Sequence, residues 1–285
     1  MRAADLIDEG RRALLDSTQA TFNWSGEPRE HAIELLTHVL GAEPDDDDEV
    51  GAGDVRRYRR LVSRRAAGEP LAYIVGYMEF RDLRIGVRRE AFIPRATSEF
   101  LAASAIRRLS RRRQPVAVDL ATGVGPVALA VAHAVRHAEV HGADLSAHAV
   151  KQARINARQL GLSNVSFHRG DLFAPLPKAI GGRVDLITMH PPYVPRHEVK
   201  LLPVEIRAYE PVMSLTDNSP DGLRLVDRVV EEAPTWLRSG GWLLFELHPS
   251  DVRTVKGWMT RAGFAETRSH RGELRYTRVL AGRRP

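Results

Sequence analysis

The sequence predicts an α/β fold, in which a doubly wound, mostly parallel sheet follows a small N-terminal helical domain and a linking β-hairpin. Two observations predict this fold. From Thr97 onward, strand-like and helix-like segments alternate, which is typical of parallel sheets covered by helices. Before residue 69, apolar residues recur at helical spacing instead. We therefore predict a helical domain at 1–68, a linking hairpin at 69–95 and an α/β domain at 96–285.

Composition excludes several classes of protein. The chain has 285 residues, of which 43% are hydrophobic, which is enough for one large core and a smaller one. It contains no cysteine, so disulfides, thiol catalysis and cysteine-based metal sites are excluded. None of the 11 histidines stands in an H-E-x-x-H motif, so we expect no metal. There is no apolar run near the ~18 residues of a membrane span and no apolar signal core, so we expect a cytoplasmic protein without a membrane partner.

The net charge of +6 raises the question of an anionic partner. Arginines cluster in RRYRRLVSRR at 56–65 and RRLSRRRQ at 107–114, while EPDDDDE at 43–49 is acidic. We interpret the arginines as solvated helix faces and the acidic run as a loop. Contact with nucleic acid is the alternative, but no RNA-binding motif with interleaved aromatic residues accompanies the arginines.

The first two predicted domains differ in the period of their apolar residues. In residues 1–68 the helical spacing places apolar side chains at Leu6, Ala13, Leu14, Ala32, Leu35, Leu36, Val39, Leu40, Val55, Tyr58, Leu61 and Val62. The acidic run and Gly51-Ala52-Gly53 predict a loop between these helices. In residues 69–95, aromatic and β-branched residues alternate, which predicts a hairpin with Gly76 and residues 88–90 as turn material.

Five strands are predicted in the α/β domain, with helices between them. They are VAVDL (116–120), EVHGADL (139–145), VSFHRGDL (165–172), VDLITMH (184–190) and GWLLFEL (241–247). Ser146 is the predicted N-cap of the helix that follows the second strand. After residue 263, two strand-like runs around residues 271–273 predict an antiparallel pair at the edge of the sheet.

Carboxylates mark the ends of three of these strands. Asp119, Asp144 and Asp171 lie where successive strands end, and ligands of such sheets bind beyond the carboxyl ends of the strands. A single acid at a strand end is commonly the cap of the next helix. Three in succession favour a binding site instead.

The chemistry of these residues describes an adenosine. Gly123 and Gly125 allow the backbone to turn tightly and to approach a ligand, Asp144 can accept both hydroxyls of a ribose, and Asp171 can accept an adenine amine. Two ligands remain open at this point. The GVGPVA segment matches a dinucleotide-binding motif, but Asp119 would repel a pyrophosphate. The cationic groups of S-adenosylmethionine tolerate this carboxylate, so Asp119 favours methyl transfer.

The order of these motifs adds a family resemblance. DLATGVGP, ADLSAHAV, GDLF, HPPYVP, YEP and GGWLLFEL resemble class I methyltransferases of the protein-glutamine type, the family that methylates peptide-release factors. GEPLAYIVGYMEFRDLRIGV and FIPR resemble the family's connecting hairpin, so the resemblance covers essentially the whole chain. It implies a Rossmann-like methyltransferase domain at 96–285 that binds S-adenosylmethionine, a substrate-recognition domain at 1–68 and a protein acceptor similar to a release factor.

The resemblance also implies roles for individual residues. His190, Pro191, Pro192 and Tyr193 match the family's catalytic corner. The prolines fix the backbone and leave its carbonyls free to accept, and Tyr193 can cover one face of the acceptor group. The implied cofactor-binding residues are Asp119, Ala121, Thr122, Gly123, Gly125, Asp144, Leu145, Asp171, Leu172 and His190.

The sequence departs from the family pattern at three places. His190 stands where the family has Asn, Ala121 stands where the glycine loop has its first Gly, and IPRATSE, which contains Glu99, replaces IPRP-x-TE. A neutral imidazole offers one acceptor nitrogen, whereas its protonated form offers none. An imidazole can also take a proton from a substrate.

These departures leave the acceptor open. The family default is glutamine in a release factor. The alternatives are a small-molecule N- or O-methyltransferase that uses His190 as a base or anchor, a nucleic-acid methyltransferase, and a binding module without catalysis.

Overall fold

The computed structural model describes residues 1–21, 26–272, 274 and 276–285, and these form two compact units. The first unit comprises Met1–Tyr77 and Lys200–Glu210, and the second comprises Met78–Val199 and Pro211–Pro285. The helices are α1 (Ala3–Leu15), α2 (Pro28–Leu40), α3 (Ala52–Ala66), α4 (Leu71–Val75), α5 (Ser98–Leu109), α6 (Pro126–Ala134), α7 (Ala147–Gln159), α8 (Val204–Tyr209), α9 (Arg224–Trp236) and α10 (Val252–Arg261). The strands are β1 (Tyr77–Phe80), β2 (Leu83–Gly86), β3 (Val116–Leu120), β4 (Glu139–Asp144), β5 (Val165–Arg169), β6 (Val184–Met189), β7 (Leu237–Leu247), β8 (Ala265–Arg271) and β9 (Arg278–Arg283).

The helices α1, α2 and α3 of the first unit bury most of the apolar residues that the sequence pattern singled out, whereas Ala13 and Leu40 are exposed. Leu6, Leu35, Leu36 and Tyr58 are fully buried in one core. In α2, Pro28 stands in the first turn, where a missing amide hydrogen costs nothing, and Glu27 and Glu30 form a capping box in front of it.

The acidic run covers the start of α1. The carbonyl oxygens of Asp48 and Asp46 accept hydrogen bonds from the amides of Ala3 (2.9 Å) and Ala4 (3.1 Å). The first amides of a helix have no partner within the helix, so this loop supplies them. The predicted loop at Gly51-Ala52-Gly53 is shorter than expected, because α3 already begins at Ala52.

The segment Lys200–Glu210 belongs to the helical unit, although the sequence pattern placed it in the α/β domain. Its Glu205 pairs with Arg65, whose side chain is fully buried (Nη2 to Oε2, 3.1 Å). Arg65 also donates to the carbonyl of Thr21 (2.7 Å) and to Nδ1 of His31 (3.0 Å). A buried guanidinium requires such partners, and linear patterning of apolar residues does not reveal them.

A two-residue turn joins β1 and β2 into the hairpin. Arg81 and Asp82 occupy this turn with positive φ angles of 49° and 63°, the geometry that matches the twist of paired strands. Of the expected turn positions, Gly76 was wrong, because it ends α4 with a φ of 89°. Residues 88–90 do lie in a turn, which follows β2 and in which the amide of Ala91 donates to the carbonyl of Arg88 at 3.3 Å. The helix α4 was missed because its five residues, LAYIV, are apolar throughout and show no helical period.

The second unit contains a seven-stranded sheet with the order β5-β4-β3-β6-β7-β9-β8. The first five of these strands are parallel, and β9 and β8 close the edge as an antiparallel pair. The predicted doubly wound sheet is confirmed. Of the turn predicted at residues 271–273, Arg271 ends β8 and Glu273 lies outside the described residues.

Most arginines of the two clusters contact other residues of the chain. In the first cluster Arg59 pairs with Glu9 at 2.7 Å. In the second, Arg108 lies 4.7 Å from the centre of the Trp242 ring. These contacts favour helix faces engaged within the chain over contact with nucleic acid, but Arg108, which packs on a ring, departs from the solvated face that was expected. Among the described residues, no helix has both the length and the apolar composition needed to cross a bilayer.

Candidate active site

The residues singled out in the sequence lie at the carboxyl ends of neighbouring strands in the seven-stranded sheet. They follow β5, β4, β3 and β6, which are neighbours in that order, and all four strands are parallel. The chain progresses outward from β3 to β5 and then returns to the other side of β3 with β6. Such a reversal leaves a crevice at the carboxyl ends of the two central strands, where ligands of open α/β sheets bind.

The loop between β3 and α6 is built from residues with positive φ. Ala121, Gly123 and Gly125 have φ angles of 50°, 58° and 90°. A Cβ atom on Gly125 would lie 2.8 Å from Cζ of Phe167, so only glycine fits there. A Cβ atom on Gly123 would meet no atom within 4 Å, which shows open space in front of this part of the loop.

Asp119 is buried beneath the loop, at the end of β3. Its two carboxylate oxygens accept hydrogen bonds from the hydroxyls of Thr122 (2.6 Å) and Thr188 (2.7 Å). Burial raises the pKa of Asp119 to about 6, although both hydroxyls oppose the shift. Asp119 therefore ties the loop to β6, and Thr188 is a partner that the sequence did not reveal.

Asp144 connects the same loop to the start of α7. Its Oδ2 accepts from the amide of Gly123 and its Oδ1 from the amide of Ser146, both at 2.8 Å. Burial raises the pKa of Asp144, and these two backbone hydrogen bonds oppose the shift. Ser146 caps α7 as predicted, accepting from the amide of Ala149 at 3.2 Å. Next to Asp144, the apolar side chain of Leu145 is 57% exposed.

Asp171 and Leu172 follow β5 but differ in exposure. Asp171 is exposed and paired with Arg228 of α9, whose Nη2 lies 2.7 Å from Oδ2. Leu172 has a φ of 46°, and its side chain is buried in the main core. An adenine at this end of the sheet would therefore meet the Asp171–Arg228 pair rather than a lone carboxylate.

The segment His190-Pro191-Pro192-Tyr193 turns away from the end of β6. Both prolines are buried, and Tyr193 forms an isolated bridge with Thr216. Gly222 lies directly against the backbone carbonyl of Tyr193. These contacts hold the corner rigidly at the strand next to β3.

Aromatic rings surround the imidazole of His190. The ring of Tyr193 stacks on it, with centroids 5.5 Å apart and planes inclined by 26°. The ring of Phe92 meets it edge-on at 5.7 Å, and the guanidinium of Arg95 lies 4.4 Å from the centre of Phe92. His190 is thus clamped between two rings, and its side chain is 16% exposed.

A hydroxyl and a carboxylate contact the Nδ1 side of His190. Ser98 Oγ lies 3.0 Å from His190 Nδ1 and donates to Glu246 Oε2 at 2.6 Å. Glu246 is fully buried, and its Oε2 is 3.6 Å from Nδ1. Burial lowers the pKa of His190; Glu246 opposes this shift, and Arg95 reinforces it. Burial raises the pKa of the Tyr193 hydroxyl, which therefore stays protonated.

Sequence reasoning missed Ser98 and Glu246. A signal existed for Glu246, an acid in the otherwise apolar run GWLLFEL, at the carboxyl end of β7. Ser98 was overlooked in favour of its neighbour Glu99, which the structure places elsewhere: its Oε1 accepts from the amide of Arg81 in the hairpin turn, at 3.2 Å.

The fold and the matched families define the class of protein. Residues 113–265 match the family described as a methyltransferase domain, which is more than half of the chain. Residues 13–76 match the family described as the PrmC N-terminal domain. The protein is therefore a class I methyltransferase with an additional N-terminal domain.

Curated relatives identify the particular family. A release factor glutamine methyltransferase from Geobacter sulfurreducens is 37% identical over 225 residues, covering 79% of this chain and 77% of the relative. Another, from Bordetella pertussis, is 35% identical over 262 residues, covering 90% of this chain and 95% of the relative. The chain belongs to the release factor glutamine methyltransferase family, which confirms the resemblance stated from the sequence.

Solved structures support the fold. A methyltransferase from Pyrococcus furiosus superposes with a TM-score of 0.53 at 16% identity, covering 80% of this chain and 98% of its own. The 16S rRNA N2 G1207 methyltransferase of T. thermophilus, in complex with AdoMet and guanosine, has a TM-score of 0.54 at 17% identity, covering 73% of this chain and 50% of its own. At such identities the likeness concerns the fold alone.

Proposed function

We propose that this protein transfers a methyl group from S-adenosylmethionine to the side-chain amide nitrogen of a glutamine in a peptide-release factor. The proposal is supported by the curated relatives of that name, which match along most of the chain. The observation that carries it is the rigid corner at His190–Tyr193, which follows β6 next to the glycine loop that follows β3. The proposal assigns the acceptor to this corner and the cofactor to the neighbouring loop.

The rim residues fit S-adenosylmethionine. The open space at Gly123 admits a ligand close to the backbone, and Asp144 keeps lone pairs for ribose hydroxyls beyond the two amides it already accepts. The exposed Leu145 can cover an apolar ring, and Asp171 lies at the next strand end. The conformation of the loops beneath the proposed cofactor is set by Asp119, Ala121, Thr122, Gly125 and Leu172. When bound, S-adenosylmethionine supplies an electrophilic methyl group on a sulfonium.

The corner fits a planar amide. An amide nitrogen is a weak nucleophile because its lone pair is delocalised, so the site must orient it closely. The carbonyls of the proline pair and the ring of His190 offer acceptors for its two hydrogens, and the stacked Tyr193 offers a flat apolar face. Because burial lowers the pKa of His190, its ring is neutral near pH 7 and keeps an acceptor nitrogen.

We further propose that residues 1–68 recognise the protein substrate, that residues 69–95 link the domains, and that residues 96–285 carry the transfer. The match of residues 13–76 to the PrmC N-terminal domain supports the first assignment. Release factors act in translation, so the reaction belongs in the cytoplasm.

The test uses the purified protein, tritiated S-adenosylmethionine and purified release factors. Label in one release factor, lost when its acceptor glutamine is replaced by asparagine, is the expected result. A cell lysate labelled in the same way, and then separated into protein, nucleic-acid and small-molecule fractions, serves as the search for other acceptors. Label confined to the small-molecule or nucleic-acid fraction would overturn the proposed acceptor. It would favour the reading in which the family's scaffold serves another substrate.

A further inference from the structure

The hydroxyl of Ser98 lies between His190 and Glu246, and it has only one hydrogen. That hydrogen is donated to Glu246 Oε2 at 2.6 Å. At the second contact, 3.0 Å from His190 Nδ1, the oxygen of Ser98 can therefore only accept. A contact of this kind requires a hydrogen on Nδ1.

A neutral imidazole carries one hydrogen, so a hydrogen on Nδ1 leaves Nε2 bare. Nε2 of His190 has no hydrogen-bond partner among the residues that the structure describes, and the side chain is 16% exposed. A bare, accessible Nε2 is a hydrogen-bond acceptor. It replaces, with one nitrogen, the acceptor oxygen that an Asn side chain would present at this position.

We infer that Ser98 and Glu246 are positioning residues that hold His190 in its Nδ1–H tautomer, so that Nε2 accepts a hydrogen bond from the side-chain amide of the substrate. The role assigned to Nε2 rests on the proposed function. The tautomer itself rests on the geometry of the three side chains. The departure from Asn to His at this corner is thereby compatible with an amide acceptor.

The surroundings of the imidazole support this assignment. The buried carboxylate of Glu246 is the anion that faces Nδ1, and its Oε1 has no hydrogen-bond partner among the described residues. Arg95 is the cation that lowers the pKa of His190, and Tyr193 is a protonated phenol stacked on the ring. Burial and Arg95 keep the imidazole neutral, whereas Glu246 favours a hydrogen on the nitrogen that faces it.

The first experiment measures the tautomer directly. Protein labelled with ¹⁵N-histidine is observed in long-range ¹H–¹⁵N correlation spectra near pH 7.5, and the signals of His190 are assigned with the His190→Asn variant. We expect a protonated Nδ1 and a bare Nε2. The reverse pattern in the unmodified protein would overturn the inference.

Variants of one helix provide the comparison. Ser98→Ala removes the acceptor and should shift His190 toward the Nε2–H tautomer, while Ser98→Thr keeps the hydroxyl and the original tautomer. Ser104→Ala is the matched control, because Ser104 is also a buried serine of α5 but contacts Arg107 instead. An unchanged tautomer in a folded Ser98→Ala protein would overturn the positioning role assigned to Ser98.

Glu246 is tested by its effect on the titration of His190. Glu246→Gln removes a negative charge 3.6 Å from Nδ1 and should lower the midpoint of the His190 titration. An unchanged midpoint would contradict the part assigned to Glu246.

Measurements of kcat/KM test the tautomer assignment separately from the proposed reaction. Ser98→Ala should reduce kcat/KM for release-factor methylation about tenfold, the size of one lost hydrogen bond, and should have little further effect once His190 is Asn. Equal losses in both backgrounds would overturn the link between Ser98 and His190. If the tautomer responds as expected but no release factor is methylated, the proposed function fails and the tautomer assignment stands.

Discussion

Gly222 packs so closely against Tyr193 that a Cβ atom at position 222 would collide with the backbone carbonyl oxygen of Tyr193. Its φ of 73° is also unfavourable for other residues. The shape of the corner at residues 190–193 therefore depends on a glycine that lies well beyond it in the chain. Neither the motif HPPY nor its immediate neighbours indicate this contact.

We expect Gly222→Ala to displace the corner and to reduce the rate of methyl transfer about 100-fold, the loss typical of a ~1 Å misplacement of reacting groups. Gly182→Ala is the control, because Gly182 has a similar φ of 71° but open space around its Cβ position. Both variants should lose about 1 kcal/mol of stability from backbone strain. Equal activities of the two variants would contradict the assigned role of the contact.

Ala121 carries strain in the glycine loop between β3 and α6. Its φ of 50° is a left-handed conformation that costs a residue with a Cβ about 1–2 kcal/mol, and glycine avoids this cost. We therefore expect Ala121→Gly to increase the free energy of unfolding by about 1 kcal/mol in urea denaturation. Ala128→Gly, within α6, should decrease it by about 0.5–1 kcal/mol. A destabilised Ala121→Gly protein would show that the loop does not hold this strain.

The pH dependence of methyl transfer should report His190. Burial lowers its pKa below the ordinary 6.5, and only the neutral ring offers an acceptor nitrogen. Activity should therefore be complete above that ordinary value and decline as the pH falls through the lowered pKa. His190→Asn, which does not titrate, should methylate glutamine without this decline. If the activity of both proteins declines identically at low pH, the titration belongs to another group.

The central strands β3 and β6 and the second half of β7 could be predicted because each is a short apolar run. The same reasoning located the strand ends and hence the rim at Asp119, Asp144 and His190. The rule that ligands bind at these ends is a property of parallel sheets, so it needs no knowledge of side-chain contacts.

Contacts between residues distant in sequence could not be predicted in this way. Ser98 reaches Glu246 from the first turn of α5, and Glu205 reaches Arg65 from a segment that follows the corner. Periodicity shows which face of an element is buried, but it does not show which polar groups meet on that face. The clusters of arginine likewise gave no sign that Arg65 would be buried while Arg59 remained at the surface.

These two arginines of α3 should therefore differ in their contribution to stability. Arg65→Met removes the buried cation that pairs with Glu205 and donates to His31, and it should cost about 3–5 kcal/mol. Arg59→Met breaks the exposed pair with Glu9 and should cost no more than about 1 kcal/mol. Urea denaturation of the two variants gives both values. Similar losses would mean that the buried contacts of Arg65 add nothing beyond a surface pair.

Asp119 should make the stability of the protein depend on pH in an unusual direction. Burial raises its pKa from 3.8 to about 6, so the folded state holds the proton more tightly than the unfolded state does. The stabilisation is then fully present below the unfolded pKa and is lost as the pH rises through about 6. This difference in pKa corresponds to roughly 3 kcal/mol.

The comparison with Asp119→Asn isolates this effect, because the other carboxylates titrate in both proteins. The free energy of unfolding of the unmodified protein, relative to the variant, should fall by about 3 kcal/mol between pH 4 and pH 7. A difference that stays constant over this range would mean that the hydroxyls of Thr122 and Thr188 fully compensate for burial of the charged carboxylate. In that case Asp119 would be ionised throughout, and its charge would be available to the cationic groups of the cofactor.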